Sequence, residues 1–161
     1  MKNIYVRTLC AEDNAAIAII IRKILAEFGA NKPGTVYFDP TTDDLFQLFS
    51  TPQSAYFIAE LNGIIVGGSG VFPTPALPPG CCELVKLYLL PEARGLGLGF
   101  QLMEKCFQKA REFGFSQMYL ETMPELQNAI GLYEKAGFKY LPGSLGQSGH
   151  FGCDLWMLKN L

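Results

Sequence analysis

The sequence is poor in the residues that mark several common classes of protein. It contains one histidine and one tryptophan, and only 17% of its 161 residues are charged, giving a net charge of -2. Lysine and arginine are scattered along the chain, so it lacks the basic patch that is typical of nucleic-acid-binding proteins. We therefore expect no nucleic-acid partner.

Paired cysteine motifs and long apolar runs are also missing. The five cysteines show no CxxC spacing, which argues against a disulfide framework and a structural zinc site and favours a reducing compartment. The most apolar early segment, "AAIAIII" at 15–21, is followed by Arg22 and Lys23 and is too short to span a bilayer. We expect a cytoplasmic protein with no membrane segment and no bound metal.

What the chain does contain is enough apolar sequence for one domain over residues 1–161, since 49% of its residues are hydrophobic. Apolar periodicity and turn residues predict elements in the order β-α-α-β-β-β-α-β-α-β-β. The dipeptide Asn62-Gly63 between two β-rich runs predicts a type I′ hairpin. The residues from Thr41 to Asp44 predict a second helix through about Phe49, and Pro124 predicts the start of the fourth. This order indicates a mixed α/β sheet covered by helices.

The segment "LYLLPEARGLGLGFQLM" at 87–103 is the most informative part of the sequence. Gly95, Gly97 and Gly99 stand between an apolar predicted strand and an amphipathic predicted helix. Unpaired N–H groups and the positive end of the helix dipole bind anions at such a junction, and glycine leaves the backbone open to them. Arg94 adds a positive charge that can pair with phosphate.

The spacing of these glycines narrows the choice of anion. A nucleoside triphosphate site requires GxxxxGK(S/T), and no Lys-Ser or Lys-Thr follows here. The dinucleotide fingerprint GxGxxG has a different spacing and normally follows the first strand, whereas this segment follows the fourth. The pyrophosphate of coenzyme A and a tight turn without a ligand are the interpretations left open by spacing alone.

The segment from Arg94 to Gly99 resembles the Q/R-x-x-G-x-G/A pyrophosphate signature of the GNAT superfamily, the acetyl-CoA-dependent N-acetyltransferases. "NAIGLYEKAGF" at 128–138 is similar to that family's fourth helix and the turn beyond it. The resemblance covers nearly the whole chain and implies a single GNAT-like domain over 1–161. The implied fold is α/β, with a mixed, mostly antiparallel central sheet of about seven strands flanked by four helices. The implied co-substrate is acetyl-CoA, without a metal.

The resemblance also implies which residues hold the co-substrate. They are Leu87, Leu89, Arg94, Gly95, Leu96, Gly97, Leu98, Gly99, Asn128 and Tyr133. Tyr133 would protonate the departing thiolate, and a phenol with an ordinary pKa of about 10 is protonated at neutral pH. Simple core packing is the alternative for Tyr133. Asn128 lies roughly 140° around the helix from Tyr133, so the two side chains cannot point at one atom.

Glu83 looks similar to the general base of some family members. It alternates in phase with Val85, Leu87 and Leu89, and partial burial would raise its pKa. Ordered water and His150 are the alternatives for this role. The stretches that we expect to set acceptor specificity are 28–45, 73–80 and 143–151, with Tyr37, Asp39 and His150 as candidate contacts. Asp39 could meet an ammonium group or begin an Asp-Pro turn.

Together these features predict an N-acetyltransferase that moves an acetyl group to a primary amine by direct attack in a ternary complex. The expected acceptor is a small or amino-acid-like molecule. The alternatives are a non-catalytic acyl-CoA-binding or sensing domain, a nucleotide-binding switch, and an enzyme that acetylates a protein N-terminus or lysine. A homodimer formed through "CDLWMLKN" at 153–160 is compatible with those apolar letters, which an internal strand explains equally well.

Overall fold

The computed structural model describes all residues from 1 to 161, and seven strands form one sheet within it. The strands are β1 (Ile4–Thr8), β2 (Ala55–Leu61), β3 (Ile64–Phe72), β4 (Cys81–Leu89), β5 (Gln117–Thr122), β6 (Lys139–Leu141) and β7 (Leu155–Asn160). The helices are α1 (Asn14–Glu27), α2 (Leu45–Leu48), α3 (Leu98–Glu112) and α4 (Gln127–Lys135). The sheet order is β1-β2-β3-β4-β5-β7-β6, and only β4 and β5 are parallel. The predicted element order and fold class are confirmed.

The hairpin between β2 and β3 turns at the predicted dipeptide. Asn62 has φ 53° and Gly63 has φ 79°, and Leu61 pairs with Ile64 across the turn. Two positive φ values at the central residues are the requirement of a type I′ turn, which asparagine and glycine meet with little strain. The hairpin prediction is therefore confirmed.

Two helices begin later than the sequence predicted. A 3₁₀ turn at Pro40–Asp43 precedes α2, because Asp39 and Asp44 each cap a separate short turn through their carboxylates. Helix α4 begins at Gln127, not at Pro124. In both places closely spaced turn residues delay a regular helix.

Two apolar clusters form the core. The larger packs the sheet against α3, whose Leu98, Leu102, Cys106 and Ala110 are fully buried. The smaller contains one face of α1 together with residues of β2. Burial of these helix faces against the sheet is the main force that holds the elements in place.

The strands β4 and β5 pair over only part of their length. Parallel pairing joins Cys81–Glu83 to Gln117–Tyr119, after which β4 continues to Leu89 with no strand beside it on that side. The register between β3 and β4 shifts between Gly68 and Gly70 of β3. On the opposite strand, Lys86 of β4 has φ 53°. The central strand therefore carries both an unpaired edge and a bulge.

The bulge corrects one prediction about Glu83. Gly70 pairs with Val85 and Gly68 with Tyr88, so two residues of β4, Lys86 and Leu87, oppose one residue of β3. Such an insertion moves every later side chain to the opposite face of the strand. The predicted phase of Glu83 with Leu87 and Leu89 was therefore wrong.

Strand β7 lies inside the sheet, not at its edge. It pairs with β5 over Leu155–Asn160 and with β6 on its other side. Its apolar residues are thus explained within one chain. Among the helices, none combines the length and the apolar character needed to cross a bilayer.

Candidate active site

A cavity of about 470 Å³ lies where β4 and β5 separate. Its walls come from the end of α1, the second half of β4, the glycine-rich loop and α4. The lining residues are Ile24, Phe28, Leu87, Tyr88, Leu89, Arg94, Gly95, Gly97, Gly99, Phe100, Leu126, Asn128, Ala129 and Leu132. Because no strand pairs with this side of β4 beyond Glu83, main-chain polar groups are available to an extended ligand.

Glycine occupies the three positions of the loop for two different structural reasons. Gly95 has φ 74° and Gly97 has φ 81°, and an added Cβ at either position would meet open space. Their left-handed backbone therefore requires glycine. At Gly99 an added Cβ would lie 2.8 Å from Cδ2 of Leu132, so this glycine permits close contact with α4.

The start of α3 presents free amide groups at the wall of this cavity. Gln101 N donates to Gly97 O at 3.0 Å, which is the first hydrogen bond of the helix. The N–H groups of Leu98, Gly99 and Phe100 consequently have no intrahelical acceptor, and they coincide with the positive end of the helix dipole. This arrangement suits a phosphate or pyrophosphate group.

Arg94 lines the cavity, but its donors are already engaged within the protein. Both terminal nitrogens donate to the Glu27 carboxylate at 2.9 Å, and Nε donates to Leu89 O at 3.0 Å. The guanidinium also lies 5.0 Å from the centre of the Phe28 ring. Arg94 thus joins the end of β4 to α1, and the amides at the start of α3 are the groups that remain free for an anion at this wall.

A second, smaller cavity of about 40 Å³ adjoins the first and shares Leu87, Tyr88 and Leu126 with it. Its polar lining comes from β4, β5, α4 and the loop after β6. The polar and titratable residues are Glu83, Lys86, Glu121, Thr122, Tyr133, His150 and Cys153. Glu83, Tyr133 and His150, which are far apart in sequence, therefore meet at one cavity, whereas Asn128 lines the larger one.

Glu83 is buried, with 3% of its surface exposed, and accepts a hydrogen bond from Thr74 Oγ1 at 2.5 Å. Burial raises its pKa to about 7, an effect that the Thr74 hydrogen bond opposes and the charge of Glu121 adds to. A carboxyl group with this pKa exchanges protons readily near neutral pH. Glu83 is therefore electrostatically suited to act as a general base.

Tyr133 is buried on α4, and its ring packs 6.0 Å from that of Phe138. Its hydroxyl has no hydrogen-bond partner in the protein. Burial raises the pKa of the phenol further above its ordinary value, so it stays protonated at neutral pH. The side chain therefore combines core packing with a free proton donor at the small cavity.

Asp39 and His150 are joined across the rim of the small cavity. His150 Nε2 lies 2.8 Å from Asp39 Oδ2, while the other carboxylate oxygen accepts from Thr41 and caps the 3₁₀ turn. The contact with His150 is the main reason that the pKa of Asp39 is well below its usual range. Asp39 thus begins the Asp-Pro turn, one of its two predicted roles, and its carboxylate is not free.

The three stretches expected to set acceptor specificity come together around this cavity. Gln147 N donates to Pro75 O at 2.7 Å, and Gly152 N donates to Gly34 O at 2.7 Å. With the contact between Asp39 and His150, these bonds fasten the loop at 142–154 over the cavity. The small cavity beside this loop has a volume of about 40 Å³, and the loop contributes His150 and Cys153 to its lining.

Four of the predicted site residues do not line either cavity: Asp39, described above, and Tyr37, Leu96 and Leu98. Tyr37 is half-buried, contacts Phe38 edge to face, and accepts from Arg22 through its carbonyl. Leu98 is fully buried in the larger core cluster, and Leu96 packs against it. Any contact of Leu96 or Leu98 with a ligand would therefore use the main chain.

Sequence reasoning missed Lys86, Glu121 and Cys153 as residues of the small cavity. Lys86 could have been found from its letters, because a lysine inside the apolar run "CCELVKLYLL" is exceptional for a buried strand. Glu121 and Cys153 carry no such signal. Their position at the cavity depends on how β5 and the loop before β7 pack.

Comparison with known families and relatives agrees with this geometry. The model of the "Acetyltransferase (GNAT) family" matches residues 21–138. The chain is 44% identical to the uncharacterized N-acetyltransferase YjgM of Escherichia coli K12 over 157 residues, which cover 96% of this chain and 93% of that protein.

Solved structures show the same fold at low sequence identity. An acetyltransferase of the GNAT family from Staphylococcus aureus superposes with a TM-score of 0.85 at 20% identity, covering 98% of this chain and 99% of that one. The PaiA N-acetyltransferase of Thermoplasma acidophilum, solved in complex with coenzyme A, gives a TM-score of 0.77 at 19% identity with 99% of both chains covered.

Proposed function

The chain belongs to the GNAT family of acetyltransferases, and from this premise we propose that it moves an acetyl group from acetyl-CoA to the primary amine of a small, amino-acid-like acceptor. The observation that carries the proposal is the junction of the two cavities. A cleft of about 470 Å³ with free amides at its wall meets a small polar cavity lined by Glu83 and Tyr133.

The larger cavity fits the chemistry of coenzyme A. The free amides at the start of α3 would bind the pyrophosphate, and the unpaired edge of β4 around Leu87 and Leu89 would bind the amides of the pantetheine arm. Asn128 lines the same cavity and would add a side-chain hydrogen bond. The coenzyme A held by the Thermoplasma relative supports this assignment.

The smaller cavity supplies the general base and the general acid of the reaction. Ionised Glu83 takes a proton from the acceptor ammonium, and the neutral amine then attacks the thioester carbonyl as the new C–N bond forms. Main-chain N–H groups of β4 stabilise the oxyanion. As the C–S bond breaks, Tyr133 donates its proton to the thiolate. The nitrogen of the new amide releases its surplus proton, which returns through water to the Tyr133 phenolate, and the proton held by Glu83 passes to solvent.

The closed cavity also bears on the kind of acceptor. Either acceptor requires the loop at 142–154 to open, but a small molecule can be enclosed when the loop closes again, whereas a protein side chain would hold it open. This favours a small acceptor over a protein N-terminus or lysine. The presence of five free cysteines supports a cytoplasmic site of action.

Thermal unfolding with and without acetyl-CoA tests the co-substrate. A ligand at 100 times its dissociation constant stabilises a protein by about 2.7 kcal/mol, which raises the melting temperature by several degrees. We expect this shift with acetyl-CoA and none with ATP or NAD as controls. A shift with ATP or NAD alone would contradict the assignment and favour a nucleotide-binding switch.

Thiol release over a broad panel of amines tests the chemistry. Replacing the acid in Tyr133→Phe is expected to lower kcat about 10²- to 10⁴-fold, while acetyl-CoA binding is retained. Unchanged turnover in this variant would remove Tyr133 from the mechanism. Binding of acetyl-CoA without turnover of any amine would favour a non-catalytic acyl-CoA-binding domain.

A further inference from the structure

Lys86 is a buried lysine without a partner. Only 8% of its surface is exposed, its ammonium donates no hydrogen bond within the protein, and no carboxylate oxygen lies within 4.0 Å of it. The residue lines the small cavity beside Glu83. Buried lysines are normally paired, because an isolated charge in a poorly solvated site is costly.

The carboxylates around this cavity are engaged elsewhere. The pairs are Asp39 with His150 and Thr41, Glu83 with Thr74, and Glu121 with Tyr119 and Ser148. Burial lowers the pKa of Lys86, while the negative charges of Asp39 and Glu83 act in the opposite direction. These charges favour the ammonium form at a distance without satisfying its hydrogen-bonding capacity.

The backbone at Lys86 is also unfavourable for a lysine. Its φ of 53° is left-handed, a conformation that glycine adopts freely and other residues adopt with strain. The bulge that imposes this φ is held by the Tyr56 hydroxyl, which donates to Lys86 O at 2.9 Å. Strain and a mostly buried amino group without a protein partner therefore coincide at one residue, and that residue lines the small cavity.

We propose that Lys86 binds the carboxylate of the acceptor, so that the acceptor class is amines with a neighbouring carboxylate, as in free amino acids. This inference rests on the proposed function. Glu83 and Lys86, three residues apart on β4, offer one group for the amine and one for the acid of the same molecule. A protein lysine, a protein N-terminus or a simple alkylamine brings no such carboxylate.

The test compares L-amino acids with their C-terminal amides, which keep the amine and lose the negative charge. With the wild-type enzyme we expect kcat/KM to be about 10- to 100-fold higher for the acid than for the matched amide. Lys86→Met should abolish this ratio by lowering the rate with the acid, while the rate with the amide changes little. Lys135→Met removes an exposed lysine from α4 and should leave the ratio unchanged.

A second variant and a second measurement keep the test decisive. Lys86→Gly suits the left-handed backbone and should fold even if the methionine variant does not. Thermal unfolding in the presence of coenzyme A reports binding without turnover. Amino acids, but not their amides, should raise the melting temperature of the wild-type complex, and Lys86→Gly should lose this response.

The outcomes separate this inference from the proposed function. Selective stabilisation by amino acids that depends on Lys86, without any thiol release, would support the carboxylate site and contradict the proposed catalysis. Equal use or equal binding of acids and amides by the wild type would overturn the carboxylate site while leaving acetyl transfer intact. An equal loss with both classes of acceptor in the Lys86 variants would also overturn it.

Discussion

The two cavities that meet at β4 are lined by different kinds of chemical group. The larger is an open cleft of about 470 Å³ whose anion-binding end consists of main-chain amides and glycines. The smaller has a volume of about 40 Å³ and is lined by ionisable side chains beneath a fastened loop. The first depends on backbone shape, whereas the second depends on side-chain chemistry brought together from distant parts of the chain.

This difference predicts that substitutions will separate binding of acetyl-CoA from use of the acceptor. A change in the backbone of the glycine-rich loop should weaken acetyl-CoA binding without altering Tyr133 and Glu83, the proposed acid and base. A change of one charged group in the small cavity should lower the rate of acetyl transfer without weakening acetyl-CoA binding.

The largest effect is expected for the base. Glu83→Gln cannot accept a proton, so kcat should fall about 10²- to 10⁴-fold. In the wild type, kcat/KM should rise with pH up to about 7, where Glu83 becomes ionised, and then level off. The variant should lose this limb while its dissociation constant for acetyl-CoA stays within about twofold, since it leaves the phosphate-binding backbone untouched. Steady-state rates between pH 5 and 9 measure this.

A retained pH limb in Glu83→Gln would contradict the assignment and return the role to His150 or ordered water. The assignment of the larger cavity to acetyl-CoA would be unaffected. Acetyl-CoA binding, measured by calorimetry, is the control that shows the variant to be folded.

The next effect concerns the loop backbone. Gly97→Val places a β-branched residue at φ 81°, beside the amides that would bind pyrophosphate. Loss of these charge-assisted hydrogen bonds should weaken acetyl-CoA binding about 100-fold. Gly131→Ala in α4 is the matched control, because its added Cβ meets no atom within 4 Å and its φ is not left-handed. Equal affinity in the two variants would show that the loop backbone is not the anion site.

The same division explains what sequence could predict. The fold and the glycine-rich loop follow from local patterns, such as Asn62-Gly63 at the hairpin and Gly97 at the start of α3. The bulge at Lys86 does not, because it depends on pairing with β3. The pairing of Arg94 with Glu27, 67 positions away, likewise arises only when α1 packs beside β4.

The pH dependence of the free energy of unfolding should reveal the cost of burying the ionised Glu83 carboxylate. Its pKa is raised from 4.5 to about 7 in the folded state, so between these values the folded protein holds a proton that the unfolded chain has released. Stability from this group therefore falls as pH rises through that range. Glu83→Gln does not ionise, and its advantage over wild type should be about 1–3 kcal/mol larger at pH 8 than at pH 5.

Melting temperatures at the two pH values measure this advantage, and the expected difference is a few degrees. The glutamine can still accept the hydrogen bond from Thr74, so the comparison isolates the charge. The same advantage at pH 5 and pH 8 would mean that Glu83 titrates as an ordinary carboxyl group. It would then be a poor base near neutral pH.

The smallest effect is expected at the contact that fastens the loop. Asp39→Asn keeps an N-cap for the 3₁₀ turn but loses the charged partner of His150. Because the pKa of Asp39 is lowered, its contribution is present at neutral pH and is lost only as the pH falls below its ordinary value of 3.8. At pH 7 the amides of Gln147 and Gly152 should exchange hydrogen up to about fivefold faster.

The glycine-rich loop should show no such change, since it does not touch the contact between Asp39 and His150. Asp43→Asn is the matched control, because it removes the exposed ion pair that Asp43, in the same 3₁₀ turn, forms with Arg22, and it does not touch the loop. Faster exchange in both variants would mean that the turn as a whole has loosened. Faster exchange in Asp39→Asn alone would identify the contact between Asp39 and His150 as the one that holds the loop over the small cavity. That contact would then be the feature that distinguishes the small cavity from the open cleft.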